Sequence, residues 1–103
     1  MIHECYKDNN DRDHWPDANV GDDLYYSIDF YDWITNESGT YVSHTWELPT
    51  GITSSDDVKL GSLLSIKLNT STKGLYKIVC KLTYSTAAGT QVNAIPLYIR
   101  VIG

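Results

Sequence analysis

From Tyr76 to Tyr84 a large apolar side chain recurs at every second position: Tyr76, Ile78, Cys80, Leu82 and Tyr84. Leu75, Lys77, Val79, Lys81 and Thr83 point the other way. A period of two belongs to a strand, and no helix could put those five residues on one face. A strand with one apolar face must cover it with a second layer. The rest of the chain repeats the theme in shorter pieces. Leu24, Tyr26, Ile28 and Phe30 share a face, and Tyr41 to Leu48 follows the turn cluster Asn36-Glu37-Ser38-Gly39. Pro49-Thr50-Gly51 is a second turn, where glycine can take the positive φ of type II geometry. Val58 to Leu60 and Leu63 to Leu68 are short runs split by Gly61-Ser62, and Gln91 to Val101 follows Ala87-Ala88-Gly89. Pro96 lacks a ladder donor, so the last strand is expected at an edge or with a bulge. No segment shows a helical period. Short strands at this spacing predict an all-β, two-sheet antiparallel sandwich over residues 24–103. Its expected core includes Ile28, Phe30, Trp46, Tyr76, Ile78, Cys80 and Leu82.

Residues 1–23 have a different texture. After a short N-terminal strand, Lys7 to Asp23 is rich in Asp and Asn and has no period. Such a stretch cannot fold by itself, and it reads as an acidic extended arm. Its one large apolar group is Trp15, next to Pro16. A lone tryptophan there either tucks into its own domain or anchors a partner, since Trp dominates interface hot spots. Asp11, Asp13, Trp15, Pro16 and Asp17, with Tyr31 and Trp33, are therefore the candidate partner-binding residues. Deleting residues 7–23 is expected to leave the sandwich folded.

The charges are segregated along the chain. All thirteen acids lie at or before Asp57, against Lys7 and Arg12, a balance of −11. Residues 58–103 carry Lys59, Lys67, Lys73, Lys77, Lys81 and Arg100 and no acid, which completes the net charge of −5. Such separation calls for water or for a partner of opposite sign, and a copy of the chain placed head to tail would be one.

Several function classes find no support. An acidic chain lacks the net basic surface of a nucleic-acid grip. No apolar run approaches the length of a membrane span. Met1-Ile2-His3-Glu4 is not a cationic-then-apolar leader, so no secretory signal is expected. Cys5 and Cys80 have no zinc-ligand spacing, and two buried free thiols are expected. His3, His14 and His44 have no neighbour at metal-ligand spacing, and no nucleophile-elbow pattern supports a triad. Asp29 and Asp32 fall on opposite faces of a strand and are no acid/base pair. Asp8, Asn10, Asp11 and Asp13 lack the glycine and glutamate of a calcium loop. Neither catalytic residue, metal nor cofactor is expected.

Gly74-Leu75-Tyr76-Lys77-Ile78-Val79-Cys80 resembles the penultimate strand of immunoglobulin-like domains, where a tyrosine caps a corner, and Trp46 falls where such domains place a core tryptophan. A further resemblance spans most of the chain. Pro16-Asp17-Ala18, Asp29-Phe30-Tyr31-Asp32-Trp33-Ile34, Ser43-His44-Thr45-Trp46 with Pro49-Thr50-Gly51-Ile52, Gly74-Leu75-Tyr76 and Ile99-Arg100-Val101 together resemble the phage fiber-tail adaptor family. These are small immunoglobulin-like virion proteins of tailed bacteriophages. The chain departs from that pattern at Asn69-Thr70-Ser71-Thr72-Lys73, where a Gly-rich turn is usual. The resemblance implies a non-enzymatic virion protein, made in the host cytoplasm, that joins tail or neck and fibers. Its partners would be other virion proteins of tail, neck, fiber or capsid, and copies of itself, with neither nucleic acid nor membrane. A capsid decoration or cement protein is the related alternative. A carbohydrate-binding module, stacking sugars on Tyr25, Tyr31, Tyr41 or Trp33, is the alternative from another class.

Overall fold

The alternating run becomes β9 (Gly74–Thr86), which pairs along its whole length with β10 (Gly89–Ile102) and, on its other side, with β6 (Thr40–Glu47). In this computed structural model, which describes residues 2–4, 6–7, 13–31, 34 and 38–103, a second sheet lies opposite. Its long strands are β5 (Asp23–Asp29), β8 (Leu63–Thr70) and β7 (Ile52–Leu60), in the spatial order β5-β8-β7. All pairings among these six long strands are antiparallel. The two-sheet, all-β architecture is the one the periodicity dictates.

Between the sheets lie the inward residues of each strand: Tyr26 and Ile28 from β5, Leu64, Ile66 and Leu68 from β8, Ile78, Cys80 and Leu82 from β9, and Ile95, Leu97 and Ile99 from β10. Phe30 is buried as expected, while Trp46 and Tyr76 are only partly buried and pack against the core from its margin. The Tyr76 hydroxyl donates to the Thr72 carbonyl at 2.7 Å, holding the turn before β9. Pro49 to Ile52 closes with Ile52 N to Pro49 O at 3.3 Å, and Gly51 has a φ of 98°. A Cβ at Gly51 would stand 3.0 Å from the Tyr76 hydroxyl, so this turn needs glycine for both its backbone and its neighbour.

The N-terminal segment corrects the reading of a detached arm. Four short strands, β1 (Ile2–Glu4), β2 (Tyr6–Lys7), β3 (Asp13–His14) and β4 (Ala18–Asn19), belong to the sheets. β1 runs parallel to β5, and the chain then changes sheet between Glu4 and Tyr6. β3 and β4 run parallel along the outer flank of β10, so the sandwich is not purely antiparallel. Trp15 N donates to Tyr98 O at 2.8 Å, and Val20 N to Ile102 O at 2.9 Å. Thr70 Oγ1 donates to Asn19 O at 2.8 Å and ties the segment to the opposite sheet. Trp15 is 0% exposed and Ala18 is buried beside it. A strand that needs only two apolar contacts leaves no periodic signature, which is why this one reads as loop. Residues 13–23 are part of the sandwich, and their removal would open its core.

Pro96 marks neither the edge strand nor the bulge expected of it: β10 lies between β9 and the short β3 and β4. The backbone groups of Tyr98 and Ile102 face the flank bonded by β3 and β4. Pro96, two residues before Tyr98, turns its missing N–H to that same outer side, and its register with β9 is unbroken.

Candidate functional site

β6 and β7 are the outermost strands of their sheets, and their inward-facing side chains meet at the open side of the sandwich. A bulge between Tyr41 and Ser43 brings Tyr41 to the same face as His44 and Trp46. Another, between Ser54 and Asp56 on β7, precedes Asp57. The result is a continuous polar seam. His44 bonds Tyr41 through Nδ1 at 2.7 Å and Asp57 through Nε2 at 2.8 Å. Trp46 Nε1 donates to the same Asp57 oxygen at 3.2 Å. With Asp57 ionised and His44 protonated on Nε2, every role is consistent: Nε2–H and Trp46 N–H donate to the carboxylate, and Tyr41 O–H donates to Nδ1.

Aromatic packing extends the seam inward. Phe30 and Tyr41 stack with centroids 5.3 Å apart, and Trp46 lies 6.0 Å from Trp15. Lys59 of β7 places its ammonium 4.7 Å from the centre of the Tyr41 ring. Burial pushes the Tyr41 phenol above its ordinary pKa, and the Asp57 carboxylate and Cys80 add to the effect. Cys80, a free buried thiol, is pushed up to about 12, mainly by burial and further by Asp57. Neither group is a nucleophile at neutral pH.

Chemically, the seam is a tyrosine–histidine–carboxylate chain whose inner polar atoms bond one another, with the Asp57 carboxylate half-exposed at its rim. Both ring nitrogens of His44 are engaged, its side chain is 10% exposed, and a tryptophan holds the carboxylate. Such an array seals an apolar core against water. No sequence spacing announces it, because Asp57 comes from a different strand than Tyr41 and His44, and two bulges set which side chains face the seam. A weak signal existed in the polar run Thr53-Ser54-Ser55-Asp56-Asp57: β7 starts at Ile52 rather than Val58, and its polarity marks an edge strand.

The residues expected to bind partners do not converge. Trp15 is in the core and donates its indole N–H to Ser27 O at 2.8 Å, so it is not a partner anchor. Pro16 is half-buried, and Asp17 is ion-paired to Arg100. Asp13 contributes its backbone to β3, while Asp11 and Trp33 lie outside the described residues. Among the described candidates, Tyr31 is 59% exposed just beyond β5, and Asp17 is exposed as well. Of the candidate sugar platforms, Tyr41 is covered by Phe30 and Lys59, and Tyr25 donates its hydroxyl to Asp56 with Lys67 5.6 Å from its ring centre. Among the described residues, no three His, Cys, Asp or Glu side chains converge to hold a metal.

No family model matches the chain, and no curated protein matches it either.

Proposed function

We propose that the chain is a non-enzymatic structural protein of a tailed-phage virion, an adaptor that joins tail or neck and fibers through its surfaces. The observation that carries this reading is the strand order. With β5 to β10 taken as strands B to G, one sheet would read B-E-D and the other G-F-C, an order that supports an immunoglobulin-like reading, while the parallel pairing of β1 with β5 and of β3 and β4 with β10 departs from the constant type. That order supports the fold which the adaptor-like sequence blocks imply. The seam supports the non-enzymatic part, because its polar groups satisfy each other and leave no poised nucleophile.

The partner surface differs from the one expected on the sequence. Trp15 and Asp17 are committed internally, so contacts fall to Tyr31 and to the outer faces of the two sheets. A capsid decoration role uses the same chemistry and differs only in where the protein sits. The carbohydrate module has less support, since Tyr25 and Tyr41 are engaged within the chain.

Antibody labelling of particles of the encoding phage, read by negative-stain microscopy, tests the proposal. Label at the neck or tail is the expected result, and label over the capsid shell would favour decoration. Unlabelled particles from cells that make the protein, or a saturable tryptophan-fluorescence shift with soluble oligosaccharides, would overturn it.

A further inference from the structure

The outward faces of the two sheets carry opposite charge around complementary apolar shapes. On the four-stranded sheet, Tyr25, Val58, Leu60 and Ser65 line an open cleft of about 280 Å³. Leu60 is 59% exposed, and Ser65 Oγ is buried at the cleft without a hydrogen-bond partner. Strand register puts Asp23, Asp29 and Asp56 on this face against Lys67.

The outer face of the other sheet has the opposite character. Leu75 projects from β9 with 56% of its surface exposed. Lys73 and Lys77 flank it at two-residue spacing, Arg100 is opposite it in register, and Lys81 follows on the same face. Among the described side chains, the acids bonded to this set are Asp17, on Arg100, and Glu47, 2.7 Å from Lys81.

We infer that the chain associates with a second copy of itself, the Leu75 face of one molecule docking into the Leu60 cleft of the next. Leu75 enters between Tyr25, Val58 and Leu60. The Lys77 ammonium beside it supplies a counter-charge for Asp56. Because the two patches are on opposite outer faces, the contact is heterologous. It leaves a cleft free at one end and a Leu75 face at the other, so copies stack into a ring or an open row. This inference stands apart from the virion reading, since its test uses the purified chain alone.

Sedimentation velocity over a concentration series, with the full chain, provides the test. Wild type should sediment faster as concentration rises, and less so at high salt, which screens the opposed charges. Leu60→Asp and Leu75→Asp should each remain monomeric. Mixed together they should form a dimer and nothing larger, because each supplies the surface the other has lost. Lys77→Glu, which leaves both apolar surfaces intact, should weaken association at least tenfold. Circular dichroism confirms that each variant is folded. Wild type that stays monomeric toward millimolar concentration, a mixture that stays monomeric, or a Leu75→Asp chain that still self-associates would each overturn the inference. The last outcome would indicate a cleft-to-cleft dimer instead.

Discussion

Replacing Trp15 with alanine tests whether the N-terminal segment is structural. The side chain is 0% exposed, with its ring centre 5.4 Å from Tyr26 and 6.0 Å from Trp46. It follows β3 in one sheet and hydrogen-bonds Ser27 of β5 in the other, so it spans the core. Truncating a buried tryptophan costs about 3–5 kcal/mol. Losing the Trp15 N–H bond to the Ser27 carbonyl would add about 1 kcal/mol more. A domain of this length has about 5–15 kcal/mol in total, so Trp15→Ala should lose roughly a quarter of it or more. Urea denaturation followed by far-UV circular dichroism is the appropriate assay, since removing a tryptophan disturbs fluorescence directly. With a slope of about 1.5–2 kcal/mol per molar, the midpoint should fall by roughly 2 M or more. Trp15→Phe keeps most of the packing and loses the N–H, so it should cost about 1–2 kcal/mol for the lost hydrogen bond. A Trp15→Ala chain within about 1 kcal/mol of wild type would refute the placement of this segment in the core.

Two further outcomes follow from the seam and the core. Asp57→Ala removes the acceptor shared by His44 and Trp46; with Asp57 half-exposed and water able to replace part of the bond, it should cost about 1 kcal/mol, or 4–8 °C in Tm, and an unchanged melt would show the seam to be dispensable. Burial holds the Cys80 thiol and the Tyr26 phenol neutral, each pushed up to about 12 from ordinary values of 9.0 and 10.0; the unfolded chain therefore ionises first, so their stabilisation is complete below pH 9 and is lost as pH rises towards 12. Urea midpoints across that window should fall steadily, less steeply for Cys80→Ala, and a flat profile would contradict the buried, uncharged state of both groups.

The long strands were legible because their burial is one-sided. β9 and β5 alternate, and most of their apolar faces lie in the core, with Leu24 exposed and Tyr76 half-buried at the strand ends. Gly51 was legible because a type II turn needs its positive φ, whereas the edge or bulge expected from Pro96 is absent, since β10 is flanked on both sides and its register is unbroken. The segment around Trp15 was not, since it contributes backbone bonds along β10 and few apolar contacts, and backbone bonding leaves no trace in side-chain periodicity. β7 was read as three residues instead of nine for a related reason: Thr53 to Asp57 lie on an edge strand, where polar side chains protect against unwanted pairing. The seam was illegible in another way. Tyr41, His44, Trp46 and Asp57 each look ordinary in sequence, and only the two bulges bring them to one side of the sandwich.

Charge segregation in sequence has a consequence in space that runs against its first appearance. In both sheets an early strand borders a late one: β5 lies beside β8, β6 beside β9, and β3 and β4 beside β10. Early acids therefore meet late bases across strands, as in Asp23 with Lys67 at 3.7 Å, Glu47 with Lys81 at 2.7 Å, and Asp17 with Arg100. Each exposed pair contributes only about 0.2–1 kcal/mol, too little to explain stability. The effect on misfolding is larger. Pairing two early strands, such as β5 with β7, would set carboxylates against carboxylates, and like charges directly opposite destabilise a ladder. An acid-first, base-last order thus penalises wrong neighbours in each sheet while rewarding the native ones weakly. The price is that the pairs are consumed unevenly. The Leu75 face keeps more lysine than acid and the Leu60 face more aspartate than lysine, and that residue of unmatched charge is what a second copy would neutralise.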